Sequence, residues 1–285
     1  MKLKKLASVM ALGLGLGALA APAYSASNHY FFEDDDLEWV LRANDAGGYD
    51  QITSGTLGLG DILVSAFEIP TFEINGVNAI PTGQELTGIA AIQVAATDGT
   101  NFVFQPWADL GTQVGYTGAM VAMWLNDLTP NVDLVGTNSG QLSCATLDAC
   151  VDQVTEGTLF QVDGFAGDID EFWGALATTS NLAAIKAGAS TTPFVVFNAG
   201  LSNLFNLWGP VGFINPADNS ECADTTDCVQ FLVSGAVYGG AGLGDTTIVG
   251  RSDFQAQKYV PEPGTLALLG MGLLGLGATA RRRKA

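Results

Sequence analysis

Positive charge is scarce in this chain: 11 Lys and Arg stand against 29 Asp and Glu, a formal charge of −18. That balance argues against nucleic-acid binding, which neutralises phosphate with Lys and Arg. It also leaves little with which to hold phosphorylated or carboxylate substrates. Histidine is scarcer still. The single His29 lies just after an N-terminal leader, where chains are often poorly ordered, so a Ser-His-Asp or Cys-His centre has one residue to draw on. No Gly-x-Ser-x-Gly elbow, phosphate loop or His-Glu-x-x-His zinc motif occurs. Gly58-Leu59-Gly60 and Gly242-Leu243-Gly244, each followed by Asp, lack the final glycine of a nucleotide-binding loop and read as strand-end turns. With 10 Pro, 36 Gly and 48% hydrophobic residues, the chain is too apolar for a disordered tail and has no collagen-like period.

What is present begins at the two ends. Met1-Lys2-Leu3-Lys4-Lys5 precedes an apolar run from Leu6 to Ala20 and the small residues around Ala21-Pro22-Ala23-Tyr24-Ser25-Ala26. A positive start, a short apolar stretch and small residues at these offsets make a secretory signal peptide over residues 1–25, cut after Ala23 or Ser25. At the other end, Val260-Pro261-Glu262-Pro263-Gly264 is followed by apolar and small residues from Thr265 to Ala280, then Arg281, Arg282, Arg283 and Lys284. Sixteen such residues are short for a full membrane span, which needs about 20. The basic cluster would stay on the cytoplasmic side. Pro261-Glu262-Pro263, a Gly-rich apolar helix and a terminal Arg cluster resemble the PEP-CTERM sorting signal of Gram-negative bacteria. The resemblance covers residues 260–285 and concerns sorting, not activity. It implies processing by a membrane peptidase, exosortase, with the C-terminal transmembrane helix held in the inner membrane before processing. It further implies a place in the cell envelope, at the cell surface or in an extracellular polysaccharide or biofilm matrix.

Between these segments, residues 26–259 hold four cations, Arg42, Lys186, Arg251 and Lys258, against 28 acids, a formal −24. Such a charge keeps a protein soluble and repels anionic surfaces. Short β-branched and aromatic segments bounded by turn residues read as strands over residues 57–68, 72–74, 86–95, 101–104, 116–125, 158–162, 193–198, 230–238 and 246–249. Asn75-Gly76, Asp98-Gly99 and Asp163-Gly164 read as turns, Asp98-Gly99 as a hairpin. Ala-rich Asp168–Lys186, broken near Thr178–Ser180, and Ala145–Val154, with Ser143 near its cap, read as helices. The expectation is therefore one mainly β domain, sandwich- or barrel-like, with one or two short helices.

Cys144 and Cys150 are spaced like Cys222 and Cys228, inside similar flanks. In an exported protein an even count favours disulfides, and equal spacing favours the two local pairings among three. Zinc usually takes cysteines two to four residues apart. Acids are the abundant reactive groups. A carboxylate pair about 5 to 10 Å apart could hydrolyse glycans. Glu33-Asp34-Asp35-Asp36 reads as a solvated run near the mature N-terminus. Asp163, Asp168, Asp170 and Glu171 partly offer the oxygens on a Gly-containing loop that calcium prefers; they depart from the EF-hand pattern, and acids favouring a helix N-terminus are the competing reading. Trp39, Trp107, Trp124, Trp173 and Trp208 could stack on sugars, but packing in the core is the commoner use. The residues point to an exported, non-catalytic structural or adhesive protein without a cofactor, with a carboxylate glycan hydrolase or a calcium- or carbohydrate-binding module as alternatives.

Overall fold

The computed structural model describes residues 27–127, 144, 146–208, 211–222, 227–243 and 247–261. The signal peptide, the sorting segment beyond Pro261, Ser143, Gly244 and Thr246 lie outside the described residues. Within them, the chain forms β1 (Ser27–Ala43), β2 (Tyr49–Gln51), β3 (Ile62–Ile74), β4 (Val77–Asn78), β5 (Gln84–Thr97), β6 (Asn101–Pro106), α1 (Ala108–Val114), β7 (Ala119–Asp127), α2 (Leu147–Val154), β8 (Thr158–Gly164), β9 (Phe172–Ala177), α3 (Leu182–Ala187), β10 (Pro193–Asn206), β11 (Phe231–Gly239) and β12 (Gly250–Pro261). The fold is mainly β.

From β1 the hydrogen-bonded neighbours run β12, β11, β10, β8, β7, β5, β3 and back to β1, which closes a barrel. The wall forks between its two long strands. One half of β5 pairs with β7 and the other with β6, while one half of β10 pairs with β8 and the other with β9; β6 and β9 then join. Closure removes the open edges that would otherwise pair with other chains. Asn75 and Gly76, with φ of 53° and 77°, make the two-residue turn between β3 and β4, the left-handed pair that an Asn-Gly hairpin demands. Asp98 holds the β5–β6 hairpin by accepting from the backbone of Thr100 and Asn101.

Alternation along the strands produces two apolar layers. Tyr30, Phe32, Phe67, Phe104, Phe160, Trp173, Phe197, Phe231 and Phe254 fill the interior. Leu37, Trp39, Ile62, Val64, Ile89 and Trp124 point outward and are covered in part by α1 and α2. Burying each large apolar side chain of this kind contributes roughly 1.5–3 kcal/mol. Helix α2 begins at Thr146, whose hydroxyl accepts from Ala149 N, and buries Leu147, Cys150 and Val154. Helix α3 is capped by Asn181. Both local disulfides form, Cys144–Cys150 and Cys222–Cys228.

Several segments depart from the sequence reading. Residues 27–43 form the longest described strand, in which Asp36, the last acid of the run that reads as solvated, and Glu38 alternate with Leu37, Trp39 and Leu41. The first half of the Ala-rich stretch is strand β9, held between β6 and β10, and only residues 182–187 are helical. Asp163 and Gly164 continue β8, paired on both sides, instead of turning. Residues 57–68 and 72–74 belong to one strand from Ile62. Pro70, which lacks an N–H to donate, sits at the register shift opposite Glu33–Asp35. The strand expected at 246–249 instead begins at Gly250 and runs to Pro261.

Candidate functional site

A close acidic pair lies inside the barrel. On β1, Asp36, Glu38 and Val40 face inward opposite Phe67, Ser65 and Leu63 of β3. Ser65 Oγ donates to Asp36 Oδ2 at 2.6 Å, and Ser252 of β12 donates to the same carboxylate through both its backbone N–H and its hydroxyl. The Ser252 hydroxyl also lies 2.8 Å from Glu38 Oε1. One hydroxyl has one proton to give, so two carboxylates can share it only if one of them keeps its own proton. Burial, then the charge of Asp36, pushes the Glu38 carboxyl well above the usual range. That direction favours the shared proton on Glu38, whose carboxyl would then return a hydrogen bond to Ser252 Oγ. These four residues cap a cavity of about 50 Å³, lined otherwise by apolar side chains including Phe67, Phe104, Trp173, Phe231 and Phe254.

A second polar cluster occupies the interior some six residues further along β12, roughly 20 Å at strand rise. Lys258, fully buried, donates to Gln161 Oε1, and its Nζ sits 5.3, 5.3 and 5.4 Å from the rings of Tyr30, Phe32 and Phe160. Asp163 accepts from Gln161 and, at 2.9 Å, from Asn203 Nδ2. Burial drives both groups toward neutrality: Lys258 comes down to about 7 and Asp163 goes up to about 6, each opposed by the charge of the other. The other body cations are also engaged. Arg42 grips Asp61 with two bonds of 2.7 and 2.6 Å, and Asp61 holds Gly58 N, which organises the first Gly-Leu-Gly-Asp turn. Lys186 donates to Ile248 O, and Arg251 lies over Tyr238.

The four residues weighed for calcium do not converge. Asp163 points into the barrel, whereas Glu171 sits on an exposed loop and accepts from the backbone N–H of Ala166, Gly167 and Asp168. Among the described residues, no group of three His, Cys, Asp or Glu could hold a metal ion. Trp39, Trp124 and Trp173 are buried, and Trp107 and Trp208 pack against the two apolar layers. His29 lies within β1, where Nε2 meets Gln257 Oε1 at 3.0 Å and the ring packs at a tilt against Tyr259, 5.2 Å between centroids. It borders a surface groove of about 700 Å³ on the outer face of β1, β12, β11, β10 and β9. Sequence reasoning placed Asp36 in a solvated run, counted Lys258 only as a body cation, and missed Glu38 and Ser252. The available signal was an acid or a lysine inside an alternating apolar run, as in Phe254-x-Ala256-x-Lys258-x-Val260.

Comparison with known proteins places one feature. Residues 260–284 match the PEP-CTERM protein-sorting motif. The chain carries that sorting signal. Its presence implies export to the cell envelope or surface and processing by exosortase, a membrane peptidase. No curated protein matches the chain. A solved structure described as "Structural Studies of Acetoacetate Decarboxylase" aligns with 85% of this chain and 91% of its own at 11% identity, with a TM-score of 0.21. A similarity that low carries no argument about the body.

Proposed function

We propose that the protein is a non-catalytic structural or adhesive component of the cell surface or extracellular matrix. In this reading residues 1–25 direct export and residues 26–259 are the working domain. Residues 260–285 hold the chain in the inner membrane until exosortase acts near Pro261-Glu262-Pro263. Arg281, Arg282 and Arg283 mark the cytoplasmic side, extracellular polysaccharide is the partner outside, and no cofactor is required.

The observation that supports a non-catalytic body is the setting of its close acidic pair. Asp36 and Glu38 line a cavity of about 50 Å³, whereas pockets that hold small molecules run to roughly 300–1,000 Å³. A sugar ring does not fit between them, so the geometry that a glycan hydrolase needs is absent at this pair. The test is the intact mass of the protein recovered from membrane and secreted fractions of its host. The expected species lacks the residues up to about Ala26 and the tail beyond the Pro261–Pro263 region. A full-length chain found only in membranes, or glycan turnover abolished by Asp36→Asn, would overturn the proposal.

A further inference from the structure

The outer groove is a large concave surface whose described lining is not acidic, and its side chains form two rows in register. In one row, Asn198 of β10, Ser234 of β11 and Gln255 of β12 are direct cross-strand partners. All three are exposed, and none has a side-chain hydrogen bond among the described residues. Adjacent strands are about 4.8 Å apart, so the row spans about 10 Å of unsatisfied amide and hydroxyl groups. In the neighbouring row, Phe172, Gly200, Leu232 and Gln257 are likewise partners. Gly200 is required there: a Cβ would stand 2.6 Å from the Phe172 ring, so its absence lets that ring lie across β10 as a groove wall, 37% exposed. At the far end His29 fixes the amide of Gln257.

We infer that this groove binds a stretch of neutral polysaccharide. The inference rests on the matrix reading above and names the ligand class and the site. Amides and a hydroxyl each donate and accept, which suits vicinal hydroxyl pairs, and an exposed ring offers an apolar face to a sugar. Charge selects against the rivals. The described lining contains no Lys, Arg, Asp or Glu in a body of formal charge −24, so anionic polymers are repelled and cations find no ligand. An extended peptide would bind by adding to a sheet edge, but here the groove floor is a sheet face whose backbone groups are already paired across β9, β10, β11 and β12.

Affinity electrophoresis of the full chain in mild detergent through gels containing dextran, galactomannan or alginate tests this directly. Retardation is expected in at least one of the two neutral polymers and none in alginate, with little change between low and high salt. Asn198→Ala with Gln255→Ala should weaken retardation at least tenfold, and Phe172→Ala several-fold, at unchanged melting temperature. Retardation in alginate alone, in none of the gels, or unaltered by the double substitution would overturn the inference. A trimmed tail in the mass measurement together with no retardation would remove the groove as a glycan site while leaving the sorting reading intact.

Discussion

At one end of the barrel interior two acids share a serine; at the other Gln161 bridges an aspartate to a lysine that sits among three aromatic rings. Both ends bury groups that water would otherwise keep charged, and they avoid the cost differently. The Asp36–Glu38 end removes a charge by holding a proton, since two carboxylates so close cannot both ionise. The Lys258–Asp163 end places opposite charges together and lets burial pull both toward neutrality. The first arrangement tolerates acid, whereas the second gives stability a falling slope with pH through Asp163 and a rising one through Lys258.

The signs follow from the shifts. Glu38, raised in the folded state, contributes stability that is full below the ordinary glutamate range and is lost as pH rises through its folded value. Asp163 acts in the same direction between about pH 4 and 6. Lys258, lowered to about 7, contributes stability present above the ordinary lysine range, near pH 10.4, and lost as pH falls toward 7.

The largest expected effect comes from breaking the lysine end. Lys258→Met leaves Asp163 buried without its countercharge and should cost about 3–5 kcal/mol in urea unfolding at pH 7. Adding Asp163→Asn should recover much of that loss; a double variant no more stable than the single one would mean the two groups are not coupled. At the acid end, Ser252→Ala strips Asp36 of a hydroxyl donor and Glu38 of its acceptor, an expected loss of about 1–3 kcal/mol by the same measurement. Reduction of the two disulfides touches neither end. It should cost about 2 kcal/mol per loop and shift thermal unfolding equally at pH 5 and pH 9. The subtlest change is Glu38→Gln, a neutral isostere. It should leave melting at pH 4 unchanged and raise it at pH 8, removing up to about 1.4 kcal/mol per pH unit of slope.

Much of this architecture is legible in the sequence where apolar alternation is plain, as in β3, β5, β7 and β11, and where turn chemistry is explicit, as at Asn75-Gly76 and Asp98-Gly99. The local disulfides follow from spacing. Strands β1 and β12, which carry Asp36, Glu38, Ser252 and Lys258, do not read as strands over most of their length. In β1 the inward positions include Asp36 and Glu38, and in β12 they include Ser252 and Lys258, so polar residues occupy the face that the alternation rule expects to be apolar. Only contacts across the barrel show those residues satisfied. Residues 172–177 read as helix because Ala favours it, and pairing with β6 and β10 overrides that preference. The groove was equally hidden, since Asn198, Ser234 and Gln255 are dispersed along the chain and meet only through register.

Strand β12 lies between β1 and β11, and its Ser252 meets Asp36 across 216 residues of sequence. The last strand is therefore the stave that closes the barrel, and nearly the whole chain must cross the membrane before the seam can form. A topology with so long a loop to close folds slowly. Before closure Asp36 has no Ser252 to donate to it and Glu38 no reason to hold a proton at neutral pH. Below the Lys258 value of about 7, where that lysine keeps its proton, completing the barrel should take up protons at Glu38 and Asp163, so the final step of folding can be timed with a pH indicator as the seam zips shut.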